Sequence, residues 1–351
     1  MNKKRILVAP LNWGLGHATR CIPIIEALQK NGFEPVLASD GIALALLKKE
    51  FPQLTALELP SYKIQYAQNG ANFKWKLFRQ IPNMFHAVRN ERKTAENWIE
   101  QYNIDGIISD NRLGVHSKKV PTVFITHQLN VLTGNTSWLT TKIHHHFIRK
   151  FDICWIPDVA GKPNLSGKLG HLNNSNLNLK YIGPLSRFNK KETEEIYDLM
   201  VILSGPEPQR TLLEEKLNLE LKNYDGTILF VRGVVEEEQK ISKRFNCTYY
   251  NFMNTAELEI AFNQSKMILC RSGYTTIMDL AKLDKKAFFI PTPGQYEQEY
   301  LAKKLTKKGV VPSSKQDSFK AEHLLQVSIY KGLKDVGKNE VSLNELLSIF
   351  S

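Results

Sequence analysis

Residues 267–302, MILCRSGYTTIMDLAKLDKKAFFIPTPGQYEQEYLA, read as strand, tight turn, helix, strand, loop and helix. The apolar run Met267 to Cys270 ends in Arg271-Ser272-Gly273, and Thr275 and Thr276 open a helix with Ile277, Leu280, Ala281 and Leu283 at helical spacing. Lys285 to Pro291 form a second buried strand. Pro293-Gly294 then break the chain into a loop carrying Gln295, Glu297, Gln298 and Glu299. In a parallel α/β array both loops leave the carboxyl ends of their strands on one side of the sheet. A glycine turn entering a helix start offers backbone N–H groups and a positive dipole end, which suits phosphate. Asp279 falls about two turns further on. Phosphate donors, a carboxylate and amide side chains around one crevice suit a nucleotide-sugar. The plainer readings are a helix cap at Ser272-Gly273 and a solvated Gln/Glu loop.

This stretch resembles the donor-binding motif of GT-B glycosyltransferases, and most of all that of the MurG and UDP-glucuronosyltransferase groups, with a C-terminal motif like that of glycosyltransferase family 28. The resemblance implies that Ser272-Gly273 cup the donor diphosphate and that Asp279, eight positions after Arg271, holds the ribose hydroxyls. It further implies that an acid-amide pair, Glu297-Gln298 or Gln298-Glu299, grips the donor sugar.

Composition is that of an ordinary globular protein: 351 residues, 42% apolar and 23% charged, long enough for two domains. Met1 to Arg5 lead into only a short strand, so no secretory leader is expected. No apolar run approaches the roughly 20 residues that cross a bilayer. The four cysteines, Cys21, Cys154, Cys247 and Cys270, are scattered and read as reduced packing residues, neither a disulfide framework nor a zinc site. Residues 1–187 hold 24 Lys and Arg against 12 Asp and Glu, whereas residues 188–351 hold 23 of each. The whole net charge of +12 therefore lies in the first half. An anionic membrane surface or a lipid-diphosphate acceptor would account for it, as would a merely basic surface. Nucleic acid is the weaker candidate, because no nucleic-acid module is present. The expected location is cytoplasmic, with peripheral attachment at the inner face of a membrane.

The first strand, Ile6 to Ala9, ends at PLNWGLGHATR, residues 10–20, and a helix follows from about His17 to Asn31. Gly14 and Gly16 allow a tight turn, but Thr19 stands where a dinucleotide fingerprint has its third glycine. His17 at a helix start would stay neutral and could act as a base, or it could merely cap or pack. Asp110 ends the strand Asn103 to Asp110; it could orient a histidine, cap the next turn or pair with Arg112. Gly14-Leu15-Gly16-His17 is similar to the first loop of the MurG type and to the early histidine of glucosyltransferases. That likeness implies His17 as base and Asp110 behind it. His127-Gln128-Leu129-Asn130 resembles an acceptor-side loop of the MurG type, from which His127 carries over.

Between these loops Phe73, Leu77, Ile81, Met84, Phe85 and Val88 share a helical face, with Lys74, Lys76, Arg79 and Arg89 off it and Pro82 expected to kink the helix. That is the profile of an interfacial helix or of a core helix with a basic back. His144-His145-His146 point about 100° apart on a helix and cannot converge on one metal ion. A charged linker is expected over residues 184–195. Beyond it a strand, Asp198 to Leu203, enters a turn with Gly205 and Arg210, and Arg210 could neutralise the diphosphate. Arg271 could do the same, or could support the fold through a buried carboxylate pair. Phe252 to Asn254 are placed to meet the base.

The expected fold is α/β of GT-B type, two doubly wound Rossmann-like domains facing each other across a cleft. Residues 1–187 would bind the acceptor, 188–340 the nucleotide-sugar, and 341–351 would form a tail packing back on the first domain. The expected activity is transfer of a hexose or N-acetylhexosamine from a UDP-sugar to an acceptor hydroxyl, lipid-linked or of the cell envelope. No cofactor is expected beyond the UDP-sugar co-substrate, and no metal, because no D-x-D pair is present. A UDP-sugar 2-epimerase of the same fold, or a non-catalytic nucleotide-sugar-binding protein, are the alternatives.

Overall fold

Short apolar runs closed by glycine, proline or asparagine become parallel strands, and the amphipathic segments between them become helices. The computed structural model describes residues 3–62, 73–234, 236–334, 336–337 and 341–351, with backbone alone at 73–84 and 135. The chain divides into two compact units: Met1–Ala160 with Lys168–Leu185 and Asn339–Ser351, and Gly161–Gly167 with Ser186–Lys338. The division thus falls inside the charged stretch. It differs from a cut at residue 187 in giving Gly161–Gly167 to the second unit. That segment is tied there by Lys304, whose Nζ donates to the Asn164 and Leu165 carbonyls at 2.6 and 2.7 Å.

In the first unit the strands are β1 (Arg5–Pro10), β2 (Glu34–Ser39), β3 (Ala56–Glu58), β4 (Ile104–Asp110), β5 (Thr122–Ile125), β6 (Ile153–Ile156) and β7 (Leu179–Tyr181). Its helices are α1 (Gly16–Lys30), α2 (Gly41–Glu50), α3 (Phe73–Gln101) and α4 (Ser137–Ile148). The sheet order is β3-β2-β1-β4-β5-β6-β7, parallel throughout. Leu7, Ala9, Val36, Ala38 and Ile107 pack with Ala95 and Ile99 of α3 in one apolar layer. α3 runs unbroken through Pro82, where a kink or restart was expected. The side chains of its expected apolar face, Phe73 to Met84, lie outside the described residues, as do those of Lys74, Lys76 and Arg79.

The second unit holds β8 (Tyr197–Ile202), β9 (Ile228–Val231), β10 (Ile241–Arg244), β11 (Cys247–Tyr250), β12 (Ser265–Cys270) and β13 (Lys286–Phe289). α5 (Gln209–Glu220), α6 (Thr255–Asn263), α7 (Tyr274–Leu283) and α8 (Tyr296–Lys307) connect or follow them. The order is β10-β11-β9-β8-β12-β13, with only β10 antiparallel.

A last helix, α9 (Leu343–Leu346), leads to Phe350, which is 2% exposed. A Cβ on Gly106 would stand 2.4 Å from the Phe350 ring, so only glycine admits this ring against β4. Lys4 Nζ donates to the Phe350 carbonyl at 3.0 Å. The chain end is thereby part of the first unit.

Each sheet begins in its middle and grows first to one side, then to the other. The order reverses between β1 and β4 in the first unit and between β8 and β12 in the second. At such a reversal the loops leaving the two strands diverge and open a crevice at the carboxyl edge.

Candidate active site

At the β1/β4 reversal four side chains meet. His17, in the first turn of α1, places Nδ1 2.8 Å from Asp110 Oδ1 at the end of β4. Asp110 is wholly buried and is gripped through both oxygens by the Nε and Nη2 of Arg20, itself 1% exposed. Arg20 also reaches His17 Nδ1 (Nη2, 2.8 Å) and His127 Nδ1 (Nη1, 2.9 Å). Cys21 adds an Sγ contact to Asp110 at 3.7 Å.

Burial lowers the proton affinity of His17, and the Arg20 charge lowers it further, while Asp110 pulls it back up. The neutral ring is thereby favoured, chiefly through desolvation and a neighbouring cation. Burial would raise Asp110, but Arg20 and then His17 overcome it and hold the carboxyl well below the usual range. The expected alternative of an Asp110–Arg112 pair does not form. Arg112 turns to the other side of β4, to Asp40 and to Glu91 at 2.7 Å. Gly14 takes a left-handed φ of +77° ahead of α1, and Gly16 is the first helical residue.

The histidine run separates as helix geometry requires. His144 packs edge-on to Phe124 and is pushed by burial to a pKa of about 4, and His145 Nε2 lies 2.8 Å from the Leu129 carbonyl. Among the described residues no group of three or more His, Cys, Asp or Glu could hold a metal ion. The four cysteines are buried and free.

At the β8/β12 reversal three loops converge, those after β8, β12 and β13. Ser272 Oγ donates to the Gln298 carbonyl at 2.8 Å, joining the second loop to the third. Gly205, at φ +110°, belongs to the first; a Cβ there would lie 3.9 Å from Thr292 Oγ1. Gly273 caps α7 without a side-chain bond, so the helix starts at Tyr274, one residue ahead of the expected Thr275. A Cβ on Gly273 would meet nothing closer than Thr276 Oγ1 at 3.9 Å.

Arg271 is 1% exposed, and among the described residues its guanidinium donates to three carbonyls: Ile290 at 3.1 Å, Pro291 at 3.2 Å and Gln209 at 2.8 Å. It is not in the carboxylate pair that was one reading of it. Burial lowers its pKa to about 10. Its Nε and the hydroxyl of Thr292 are buried polar atoms without a hydrogen-bond partner. An anion entering this crossing would satisfy both.

Arg210 corrects an expectation. It pairs with Glu207 (2.5 Å) and Glu214 (2.6 Å), and Glu214 also holds Arg232 at 2.5 Å. Its charge is compensated by one carboxylate ahead of α5 and one within it. The acid-amide segment also braces its own loop. Gln298 Oε1 accepts from Thr292 N and Glu299 Oε1 from Gly294 N, both at 2.9 Å, while Glu297 is half-buried in the first turn of α8. Asp279 is 8% exposed and accepts from Ser186 Oγ at 2.7 Å. Burial pushes its carboxyl up to about 6, against the opposing pull of Arg187. Asn254, in the segment expected near the base, caps α6 in a reciprocal box with Glu257.

The chain is similar to known proteins in sequence and in fold. Residues 208–342 match the glycosyltransferase family 28 C-terminal domain. The chain is 23% identical over 339 residues to the UDP-N-acetylglucosamine--N-acetylmuramyl-(pentapeptide) pyrophosphoryl-undecaprenol N-acetylglucosamine transferase of Haemophilus ducreyi, covering 93% of this chain and 89% of that one. The same enzyme of Buchnera aphidicola is 23% identical over 337 residues, with coverages of 93% and 89%. Among solved structures, MurG of Acinetobacter baumannii superposes with a TM-score of 0.59 at 12% identity over 99% of both chains. The glycosyltransferase SnogD of Streptomyces nogalater superposes with a TM-score of 0.66 at 14% identity, over 99% of this chain and 95% of that one. The fold is GT-B, and the chain is a glycosyltransferase similar to MurG and related to family 28.

Proposed function

We propose that this glycosyltransferase moves a hexose or N-acetylhexosamine from a UDP-sugar to an acceptor hydroxyl by direct displacement at the anomeric carbon. The observation that carries the reading is the His17–Asp110 hydrogen bond at a sheet reversal, because a binding protein has no use for a neutral, carboxylate-oriented base. His17 donates its Nδ1 hydrogen to Asp110, which leaves Nε2 to accept the acceptor proton as the acceptor oxygen attacks. The bond between the anomeric carbon and the phosphate oxygen breaks with its electron pair going to UDP. The charge gathering there is met by Arg271 and the start of α7. These groups do for the leaving group what a bridging metal does elsewhere, so transfer is expected to survive chelation.

The basic first half suits an acceptor carried on a lipid diphosphate, in line with the undecaprenol-linked substrate in the relatives' names. It would bring the protein to the inner face of a membrane as a peripheral component. The test is UDP release from UDP-sugars with and without lipid-diphosphate saccharides. Acceptor-dependent release is expected, together with a fall of about 10²–10⁴-fold in His17→Ala at unchanged UDP affinity. Conversion of the donor to an epimer, or binding without turnover, would overturn the proposal.

A further inference from the structure

Arg20 touches Asp110, His17 and His127 at the β1/β4 reversal, yet a dyad of base and carboxylate does not require it. A surface role is excluded by its burial. A purely charge-balancing role would need only Asp110, but two of its three nitrogens also face imidazoles. We infer that Arg20 is a positioning residue that fixes the two histidines in opposite proton-carrying roles, His17 as acceptor and His127 as donor. This rests on the transfer reading above.

The argument is one of hydrogen inventory. A guanidinium has donors only, so the His127 nitrogen facing Arg20 Nη1 at 2.9 Å must be an acceptor. Neutral imidazole then carries its hydrogen on Nε2, the far edge of the ring. His17 differs because its Nδ1 has a carboxylate oxygen at 2.8 Å beside the same guanidinium. Arg20 Nη2 already directs a hydrogen to that oxygen. The charge-assisted bond from Nδ1–H to Asp110 is the stronger use of the contact. His17 is therefore an acceptor at Nε2 and His127 a donor at Nε2, from one guanidinium shared between them. A pair of this kind removes the proton of a hydroxyl with one ring. With the other it hydrogen-bonds an acceptor oxygen, whether that oxygen is a neighbouring hydroxyl or a phosphate.

Histidine side-chain ¹⁵N NMR of the full-length protein reads the assignment without any assay. The expected spectrum has His17 as the Nδ1–H tautomer and His127 as the Nε2–H tautomer. His127 found as Nδ1–H overturns the inference even if the enzyme transfers sugar. The expected tautomers without any transferase activity would instead condemn the transfer reading alone. Function is probed by His127→Gln, whose amide nitrogen keeps a donor near the Nε2 position, and His127→Asn, which keeps only the acceptor facing Arg20. His127→Gln is expected to hold kcat within about tenfold, and His127→Asn to lose about a hundredfold. Equal losses in both overturn the donor role. Arg20→Lys keeps the charge on Asp110 but cannot serve both rings. Its His127 signal is expected to become a tautomer mixture, with a loss in kcat larger than any change in KM for the donor. An unchanged tautomer in a folded Arg20→Lys protein overturns the inference.

Discussion

The two sheet reversals solve opposite electrostatic problems. At β1/β4 the charges are closed on themselves: Arg20 is gripped by Asp110, and the histidines are satisfied around them. At β8/β12 the cation Arg271 has, among the described residues, only carbonyls for partners, and its Nε and the Thr292 hydroxyl are left over. A closed cluster fixes protonation states and is ready before any ligand arrives. An open one is completed by an anion. The proposed contrast between a base and a phosphate cradle rests on that difference, and five substitutions break or sharpen it.

The largest effect is expected where the closed cluster is opened. Asp110→Asn keeps the shape but leaves Arg20 as a buried cation without a counter-charge, which costs about 3–5 kcal/mol. It also removes the carboxylate that holds the His17 tautomer, an effect of about 10⁴ on turnover in a comparable triad. Thermal unfolding and acceptor-dependent UDP release are expected to fall together. Loss of turnover at unchanged stability would mean that Arg20 has another counter-charge.

Next comes a pair of arginines. Arg271→Met removes the uncompensated cation and is expected to weaken UDP about ten- to a hundredfold, a loss of about 1.4–2.8 kcal/mol. Arg210→Gln is expected to leave UDP affinity unchanged and to lower stability by about 1–3 kcal/mol, because Glu207 and Glu214 each lose one partner, Glu214 keeping Arg232 and Glu207 keeping Thr211. Isothermal titration with UDP and thermal unfolding separate the two. The reverse ranking would return the phosphate role to Arg210.

That pair also marks where sequence reading stops. The carriers of the fold were legible, because strands and helices announce themselves by period and by glycine: β1, the loop to His17, β12 and α7 all follow from local pattern. Arg210 was read as a diphosphate partner, and the pairs it makes with Glu207 and Glu214, three and four residues away, were not foreseen. The signal was present and the phosphate hypothesis overrode it. Arg20 gave no local signal at all. A basic residue early in a helix reads as solvated, and its burial is set by Asp110, ninety residues away. Arg112, two residues past Asp110, shows the same limit: on a continuing strand the two would share a face, but β4 ends at Asp110 and Asn111 takes a left-handed φ of +57°, which re-aims the chain. β10, whose residues are all exposed, has no burial alternation to betray it.

Asp279 tests the contrast through pH. Asp110 is depressed by its partners, so its contribution to stability is present above the ordinary carboxylate range and is lost only in strong acid. Asp279 is raised by burial from 3.8 to about 6. Its contribution is therefore full below about pH 4 and is lost as pH climbs through 6, where the buried carboxylate ionises at a cost of about 3 kcal/mol. Asp279→Asn is expected to raise the unfolding midpoint at pH 7–8 and to change little at pH 4. If the residue also holds the ribose, UDP affinity falls in the same protein. Stabilisation without that fall would make Asp279 a structural partner of Ser186 alone.

The smallest effect is expected at Thr292, and it is the cleanest reading of the open cluster. Val has nearly the shape of Thr, so Thr292→Val removes little but a hydroxyl that has no partner. An unsatisfied buried hydroxyl is a cost, and its removal is expected to leave stability unchanged or slightly raised. If the crossing of the three loops receives the donor's phosphates, that same hydroxyl gains a partner on binding. Thr292→Val should then lose about 0.5–1.5 kcal/mol of UDP affinity, up to about tenfold, while the free protein is no weaker. The opposite signs in the two measurements are the signature of an atom held in reserve for a ligand. Equal affinity in Thr292→Val and wild type would mean that the anion stops short of the β13 edge and rests on Gly205 and α7 alone.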